Sequence, residues 1–316
     1  MMEHRKINLK SFFFLFLITF YCQFAWTQTF RPIKNWPTEV NNKLESFLNS
    51  TIIIKERKVA VFDCDGTLFG QVPHYLADEA LFSFAKSHYE GKKDHYSNAK
   101  MKIVNNLLHG NNTGIQYVKE RIDFLSGMTT EEVKQLGEKC FHAKYQQKIY
   151  PEMRELLANL NEYGFEVWVL SASPELLYQQ FIHKELGIPV NRILGVKSVI
   201  KNDTVTNTLV VPVPQDEGKA EALETFIKAR PLFVAGNSRG DMEMMNESVG
   251  IKLIVNPDNT KVEKGQESGA MNGNTVEEYW KKNGGLIVRC KDIPEGNYQY
   301  VSGEWGIKVN ASNPGN

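Results

Sequence analysis

The chain has no surplus of charge of either sign. Over 316 residues, 37 Lys and Arg face 37 Asp and Glu, and basic residues cluster no further than pairs such as Lys92-Lys93 and Lys281-Lys282. A protein that neutralises a phosphodiester backbone needs a basic stripe or patch, so no nucleic-acid partner is expected. Cysteine is scarce as well. Of four, Cys22 falls in the amino-terminal segment and Cys64, Cys140 and Cys290 remain, an odd set without paired spacing that excludes a disulfide framework even in an oxidising compartment. Internal repeats and disorder-prone tracts are absent. Apolar and charged fractions of 42% and 23% are those of a chain that buries a sizeable core, as one large or two modest domains.

Long apolar runs are missing too, except at the amino terminus. Arg5, Lys6 and Lys10 precede a nearly uncharged run from Ser11 to Trp26, rich in Phe, Leu and Ile, and Ala25-Trp26-Thr27-Gln28 follows with small residues at the spacing a signal peptidase prefers. This pattern predicts a secretory signal over residues 1–27, cleaved after Thr27, and hence export to the periplasm or beyond. An uncleaved membrane anchor is the alternative, although the run is a little shorter than the roughly 20 residues of a spanning helix. Cleavage would remove three bases and one acid and leave a formal charge of about −2, so the exported chain stays close to neutral.

What is present is a set of strand ends. Val59-Ala60-Val61-Phe62 is a short, β-prone apolar run that stops at Asp63-Cys64-Asp65, and Gly66-Thr67 then turn the chain out of a sheet. Side chains alternate along a strand, so Asp63 and Asp65 share one side while Cys64 points away, a small hydrophobe on the reverse face. Two neighbouring carboxylates repel unless a cation sits between them, and hard oxygen ligands at this density suit Mg²⁺. Before this strand, residues 37–50 have the apolar spacing of a short helix. After it, helix-like stretches at 74–90, 97–109, 113–126 and 130–146 follow one another without a convincing strand. From Tyr150-Pro151 onward the pattern alternates. Helices are predicted at 152–163, 174–186 and 218–229, strands at 165–170, 231–236 and 251–255, and a hairpin over 192–213 with Lys201-Asn202-Asp203 at its turn. Such alternation implies a parallel sheet with right-handed crossovers and helices on both faces, interrupted after its first strand by a helical insert. The tail beyond Gly285 reads as further strand or edge structure.

Three later stretches occupy comparable places. Ser171-Ala172-Ser173 follows the strand that ends at Leu170 and precedes Pro174. A hydroxyl there can hold a phosphoryl oxygen beside helix-start amides, and by itself can equally serve as a helix cap. Lys219 opens a predicted helix, where a lysine is either a fixed cation or an ordinary surface charge. Gly236-Asn237-Ser238-Arg239-Gly240-Asp241 again ends a strand at Gly and sets an acid near a helix start.

Asp63-Cys64-Asp65-Gly66-Thr67 resembles the first motif of the haloacid dehalogenase-like hydrolases, most of which are Mg²⁺-dependent phosphatases. Ser171, Lys219 and the 236–241 stretch match the second, third and fourth motifs in order. The resemblance covers 59 to about 246 and implies an α/β fold. Its parts would be a three-layer, Rossmann-like parallel sheet core formed by 28–70 and 150–316, and a helical cap formed by 71–149. It implies that Asp63 is the nucleophile and Asp65 the general acid and base, and that Ser171 and Lys219 bind phosphoryl oxygens. Mg²⁺ would lie against Asp63, Asp65 and Asp241. The family has two acids in the fourth motif; here the first is Asn237, expected to contribute only weakly, through a metal-bound water.

The insert around Tyr117 to Thr129 looks like the cap of the phosphoserine-phosphatase-like branch, which makes Arg121 the candidate for a substrate carboxylate. Nine residues after Asp63 stands Val72, where true phosphoserine phosphatases carry a substrate-binding Glu, so the branch is indicated more firmly than the substrate. Tyr75, Phe82 and Phe84 either hold a cationic head group, as for phosphocholine, or belong to the core. The expected activity is Mg²⁺-dependent hydrolysis of a small phosphorylated metabolite. The alternatives are a phosphocholine-type phosphatase, a phosphotransferase or mutase on the same scaffold, and a secreted non-catalytic binding protein. Oligomeric state is left open.

Overall fold

The computed structural model describes residues 28–72, 74–109, 114–257, 271–292, 300–302 and 308–310. The expected leader over 1–27 lies outside the described residues. The chain enters through α1 (Thr38–Ser50), whose Val40, Leu44 and Leu48 recur on one face and are buried there, as the spacing predicts. It continues into β1 (Lys58–Phe62), in which every residue is buried. Burial on both faces is what a central parallel strand requires, and it explains why Val59 to Phe62 reads as a continuous apolar run and not an alternating one.

The main sheet has six strands in the order β3-β2-β1-β6-β7-β8. The neighbours of β1 are β2 (Phe165–Pro174) and β6 (Phe233–Gly236), both parallel to it. Further out lie β3 (Ile193–Val196), β7 (Ile251–Val255) and β8 (Leu286–Val288), again parallel. The two faces carry separate cores, with Ala60, Phe62 and Cys64 in one and Val59 and Val61 in the other, so the helices flank the sheet in three layers. All three central strands point their carboxyl ends at one edge.

The first crossover, from β1 to β2, is long. It holds α2 (Leu76–His88), α3 (His95–His109), α4 (Gly114–Leu125) and α5 (Thr130–Cys140), then a π turn at Phe141–Tyr145 and, back at the sheet, α6 (Pro151–Glu162). Thr129 caps α5 with a reciprocal bond to Glu132, which fixes where that helix begins. The insert is seated on α7 (Glu175–Leu186) through Gly137, where an added Cβ would overlap the main-chain carbonyl oxygen of Leu177. Gly137→Ala should therefore push α5 off α7 and cost about 1–3 kcal/mol, seen as a lowered thermal midpoint. An unchanged midpoint would mean that the two helices are free to separate.

Several boundaries differ from the sequence expectation. The strand expected at 165–170 runs on through Ser171 and Ser173 to Pro174, with a register shift between Leu170 and Pro174, and the helix starts one residue later than predicted. The hairpin expected over 192–213 is split. Ile193–Val196, fully buried, joins the main sheet, and the hairpin proper is β4 (Ser198–Lys201) with β5 (Thr204–Leu209). Its turn is at Asn202-Asp203, at φ of 47° and 59°, the paired left-handed conformation of a two-residue hairpin. The helix expected at 218–229 is α8 (Glu217–Ala222), continued by a π turn at Leu223–Ile227 and ended by Lys228 at φ 56°. The stretch from Asp241 is α9 (Met242–Asn246). Beyond Val255, α10 (Val276–Lys282) precedes β8, which makes the first part of the tail the sheet's edge; β9 (Tyr300–Ser302) and β10 (Lys308–Asn310) pair as an antiparallel ribbon.

Candidate active site

The site lies where β1, β2 and β6 end. The Asp63 amide donates to the Ala235 carbonyl at 2.9 Å, which extends the pairing of β1 with β6 by one residue and aims the Asp63 side chain over the sheet edge. Gly66, at φ +79°, then reverses the chain, and a Cβ there would overlap the Asn237 amide, so the turn needs glycine for both conformation and space. Asp63 and Asp65 both line a single pocket, together with Ser171, Lys219, Asn237 and Arg121. Cys64 faces the other way, fully buried in the core, and Cys64, Cys140 and Cys290 are all free thiols.

The third and fourth stretches meet the first through one ammonium. Lys219 Nζ donates to Asp63 Oδ1 at 2.7 Å and to Asp241 Oδ1 at 2.6 Å. Asp241 is saturated on its other oxygen as well: Oδ2 accepts from the amides of Asn237 and Ser238 at 2.9 and 3.0 Å and from Ser238 Oγ at 3.3 Å. Asp63 Oδ2 accepts from Thr67 Oγ1 at 3.1 Å, a contact that gives the fifth residue of the first motif a role the sequence reading left out. Ser171 Oγ accepts from the Ser173 amide at 3.1 Å, which leaves its own hydrogen for the pocket. Asp65 Oδ2 accepts from Ser173 Oγ at 2.9 Å and Oδ1 from Tyr178 Oη at 2.8 Å.

Electrostatics follow from this crowding. Asp63 is pushed up from the ordinary carboxylate range, first by burial and then by Asp241, with Lys219 opposing. Burial also raises Asp65, against the hydroxyl of Tyr178, the charge of Arg121 and the hydroxyl of Ser173. For Lys219, burial works against the ammonium, but Asp241 and Asp63 outweigh it and hold the group above the ordinary lysine range. Asp63 and Asp241 thus share one buried cation, Lys219, while Asp65 is held by the hydroxyls of Ser173 and Tyr178. The carboxylate oxygens of Asp63 and Asp65 and the amide oxygen of Asn237 bring hard donors to this pocket, which fits a hard divalent ion such as Mg²⁺.

The family profile for haloacid dehalogenase-like hydrolases matches residues 60–246, more than half of the chain. The chain belongs to the haloacid dehalogenase-like hydrolases. A phosphoserine phosphatase of Mycobacterium tuberculosis is similar to it at 25% identity over 215 residues, 63% of this chain and 65% of that protein. The chain thus spans just under two thirds of that relative's length. Two crystal structures of proteins of unknown function share the fold. One, from Bordetella pertussis, has a TM-score of 0.58 at 14% identity and covers 74% of this chain and 99% of its own. The other, from Anaerococcus prevotii, has a TM-score of 0.58 at 13% identity and covers 82% and 97%.

Within this hydrolase fold the two side chains of the fourth motif differ in how far their oxygens are engaged. Asp241, expected against the metal, has both oxygens engaged by donors of the chain itself. Asn237, expected to act only through water, keeps an amide oxygen whose one hydrogen bond among the described residues is a long 3.4 Å approach from Thr67 Oγ1. The freer oxygen of the fourth motif is therefore the amide. Arg121 does reach the pocket wall, but not as an open fork. Its Nε and Nη2 bind Asp78 Oδ1 and Oδ2 at 2.8 and 2.9 Å, Nη2 also contacts Tyr117 Oη at 3.0 Å, and the Tyr117 hydroxyl bonds Asp78. The guanidinium lies 4.3 Å from the Tyr117 ring centre and 5.1 Å from that of Tyr75. The pair is buried, at 2% and 4% exposure, so a substrate carboxylate would have to displace Asp78 to use it. Of the three aromatics considered for a cationic head group, only Tyr75 lines the pocket; Phe82 packs edge-on to His74, and Phe84 stacks on His88.

Asp78 and Tyr178 had no signal in the sequence. Asp78 is one acid among several on an amphipathic helix, and Tyr178 is an aromatic residue on a helix's buried side. Only the docking of the insert on the sheet edge gives them polar work.

Proposed function

We propose that the protein is a Mg²⁺-dependent phosphomonoester hydrolase of the phosphoserine-phosphatase-like kind, which cleaves a small phosphorylated metabolite through an aspartyl-phosphate on Asp63. The observation that carries this reading is the contact of one buried ammonium, Lys219, with both Asp63 and Asp241 in a pocket shared with Asp65 and Ser171. Asp63 attacks phosphorus while the bond to the leaving oxygen breaks, and the proton on Asp65 passes to that oxygen. Water then attacks the phosphorus of the acyl phosphate, gives its proton to Asp65, and returns Asp63 as a carboxylate with release of inorganic phosphate. Ser171 Oγ and Lys219 Nζ hold the phosphoryl oxygens throughout and offset the charge that builds on them.

The residues that would hold Mg²⁺ are Asp63, the Asp65 main-chain carbonyl and the Asn237 amide oxygen. When bound, the ion supplies the positive charge that keeps Asp63 ionised and neutralises the phosphoryl group. Asp241 fixes Lys219 and the 237–238 amides around that place. Phosphate release measured over phosphorylated amino acids, choline phosphate, sugar phosphates and nucleotides identifies the substrate. EDTA should abolish release and Mg²⁺ restore it, and Mg²⁺ should also raise the thermal midpoint of the wild type while failing to raise that of Asn237→Leu. Undiminished turnover in EDTA would end the metal-dependent reading.

A further inference from the structure

The buried hydroxyl of Tyr178 touches both the acid of the site and the backbone of the insert. It donates to Asp65 Oδ1 at 2.8 Å and accepts from the Ala77 amide at 3.1 Å, in the first turn of α2. The Ala77 amide is one of the helix-start donors without a partner inside its own helix, so Tyr178 satisfies a group that α2 itself cannot. The ring is held on its other sides by Phe69 and Phe181, with centroids 6.4 and 5.3 Å away, and the residue is 2% exposed.

We propose that Tyr178 is a positioning residue for proton transfer by Asp65, tying the orientation of that carboxyl to the seating of the insert. The inference rests on the phosphatase reading of the site. With the Ala77 amide hydrogen set against its oxygen, the phenol directs its own proton at Asp65 Oδ1. Ser173 Oγ occupies Oδ2 in the same way, at 2.9 Å. Each carboxyl oxygen has one lone pair engaged by β2 or α7, and the proton that Asp65 delivers is left to the side that faces the pocket. Without the phenol, Oδ1 loses the donor that fixes it, and the carboxyl is free to rotate about its Cβ–Cγ bond, which carries its proton away from the leaving oxygen. A phenol ring with a satisfied hydroxyl also fits a purely structural role, and the two roles predict different kinetics.

The discriminating measurement is kcat/KM of Tyr178→Phe on two esters, glycerol 1-phosphate and p-nitrophenyl phosphate. The parameter reports steps up to phosphoryl transfer to Asp63. An alkoxide must be protonated as it leaves, whereas nitrophenolate leaves without a proton. Tyr178→Phe should lower kcat/KM for the alkyl ester about 30-fold and that for the aryl ester less than about threefold, as expected when only general-acid assistance is impaired. The ratio between the two esters does not depend on how much of the variant is folded. An equal loss on both esters, or no loss on either, overturns the positioning role. A wild type that releases phosphate neither from these esters nor from any phosphomonoester of the substrate screen overturns the phosphatase reading itself, and this inference with it.

Discussion

Asp63→Asn should reduce phosphate release to the uncatalysed background, a loss of at least about four orders of magnitude, with no loss of stability. Asn keeps the size of the side chain and an oxygen for Thr67 Oγ1, and Lys219 keeps its 2.6 Å contact with Asp241. What goes is the nucleophile. The sign of the stability effect follows from the same crowding. Burial and Asp241 raise Asp63 in the folded protein, so the folded state binds its proton more tightly than the unfolded chain does, and an ionised Asp63 is a burden on the fold at neutral pH. Removing that charge should leave the thermal midpoint unchanged or higher, the usual relation between a strained active site and the scaffold that holds it. Turnover retained near the wild-type rate removes Asp63 as nucleophile, and a large fall in the midpoint would show that its carboxylate holds the structure together.

The second large effect is on stability and not on chemistry. Arg121→Met should destabilise the protein by about 3–5 kcal/mol, because it leaves Asp78 as an unpaired buried charge. Asp78 loses two bonds of 2.8 and 2.9 Å and, among the described residues, keeps the Tyr117 hydroxyl alone. Replacing both members, Arg121→Met with Asp78→Leu, should recover most of the loss, since a buried pair is worth far less than the cost of breaking it one-sidedly. Chemical denaturation of the two single variants and the double variant gives the comparison. If instead Arg121→Met unfolds at the wild-type midpoint and only raises KM for carboxylate-bearing phosphomonoesters, Arg121 is a substrate ligand and the pairing with Asp78 is incidental.

Asp63 and Arg121 differ in how far their surroundings are written into adjacent residues. Asp63 and Asp65 were legible because their geometry is local: an apolar run, two acids two positions apart, then Gly and Thr, all within one strand and its turn. The same holds for Ser171 and for the 236–241 stretch, each at the end of its own strand. The helical insert was legible from its apolar spacing, down to boundaries that moved by a few residues. Arg121 was correctly placed on the insert, but its partner was not visible. Nothing at residue 78 marks it out, and the choice between a free fork and a closed pair depends on how α2 and α4 pack. The assignment of Ile193–Val196 to a hairpin failed for a related reason, since a four-residue apolar run serves a parallel sheet or a ribbon equally well and only burial on both faces decides.

Local order along the chain settles the sheet edge and its chemistry: which strands end in acids and hydroxyls, and that hard oxygen donors sit among them. Adjacent residues fix such features whatever the rest of the chain does. The tertiary structure alone decided the pairings. Lys219 meets Asp63 across 156 residues, Tyr178 meets Asp65 across 113, and Arg121 meets Asp78 across 43. A buried charge or hydroxyl must find a partner, but which one it finds is set by the packing of helices around the sheet, and no short-range pattern records that.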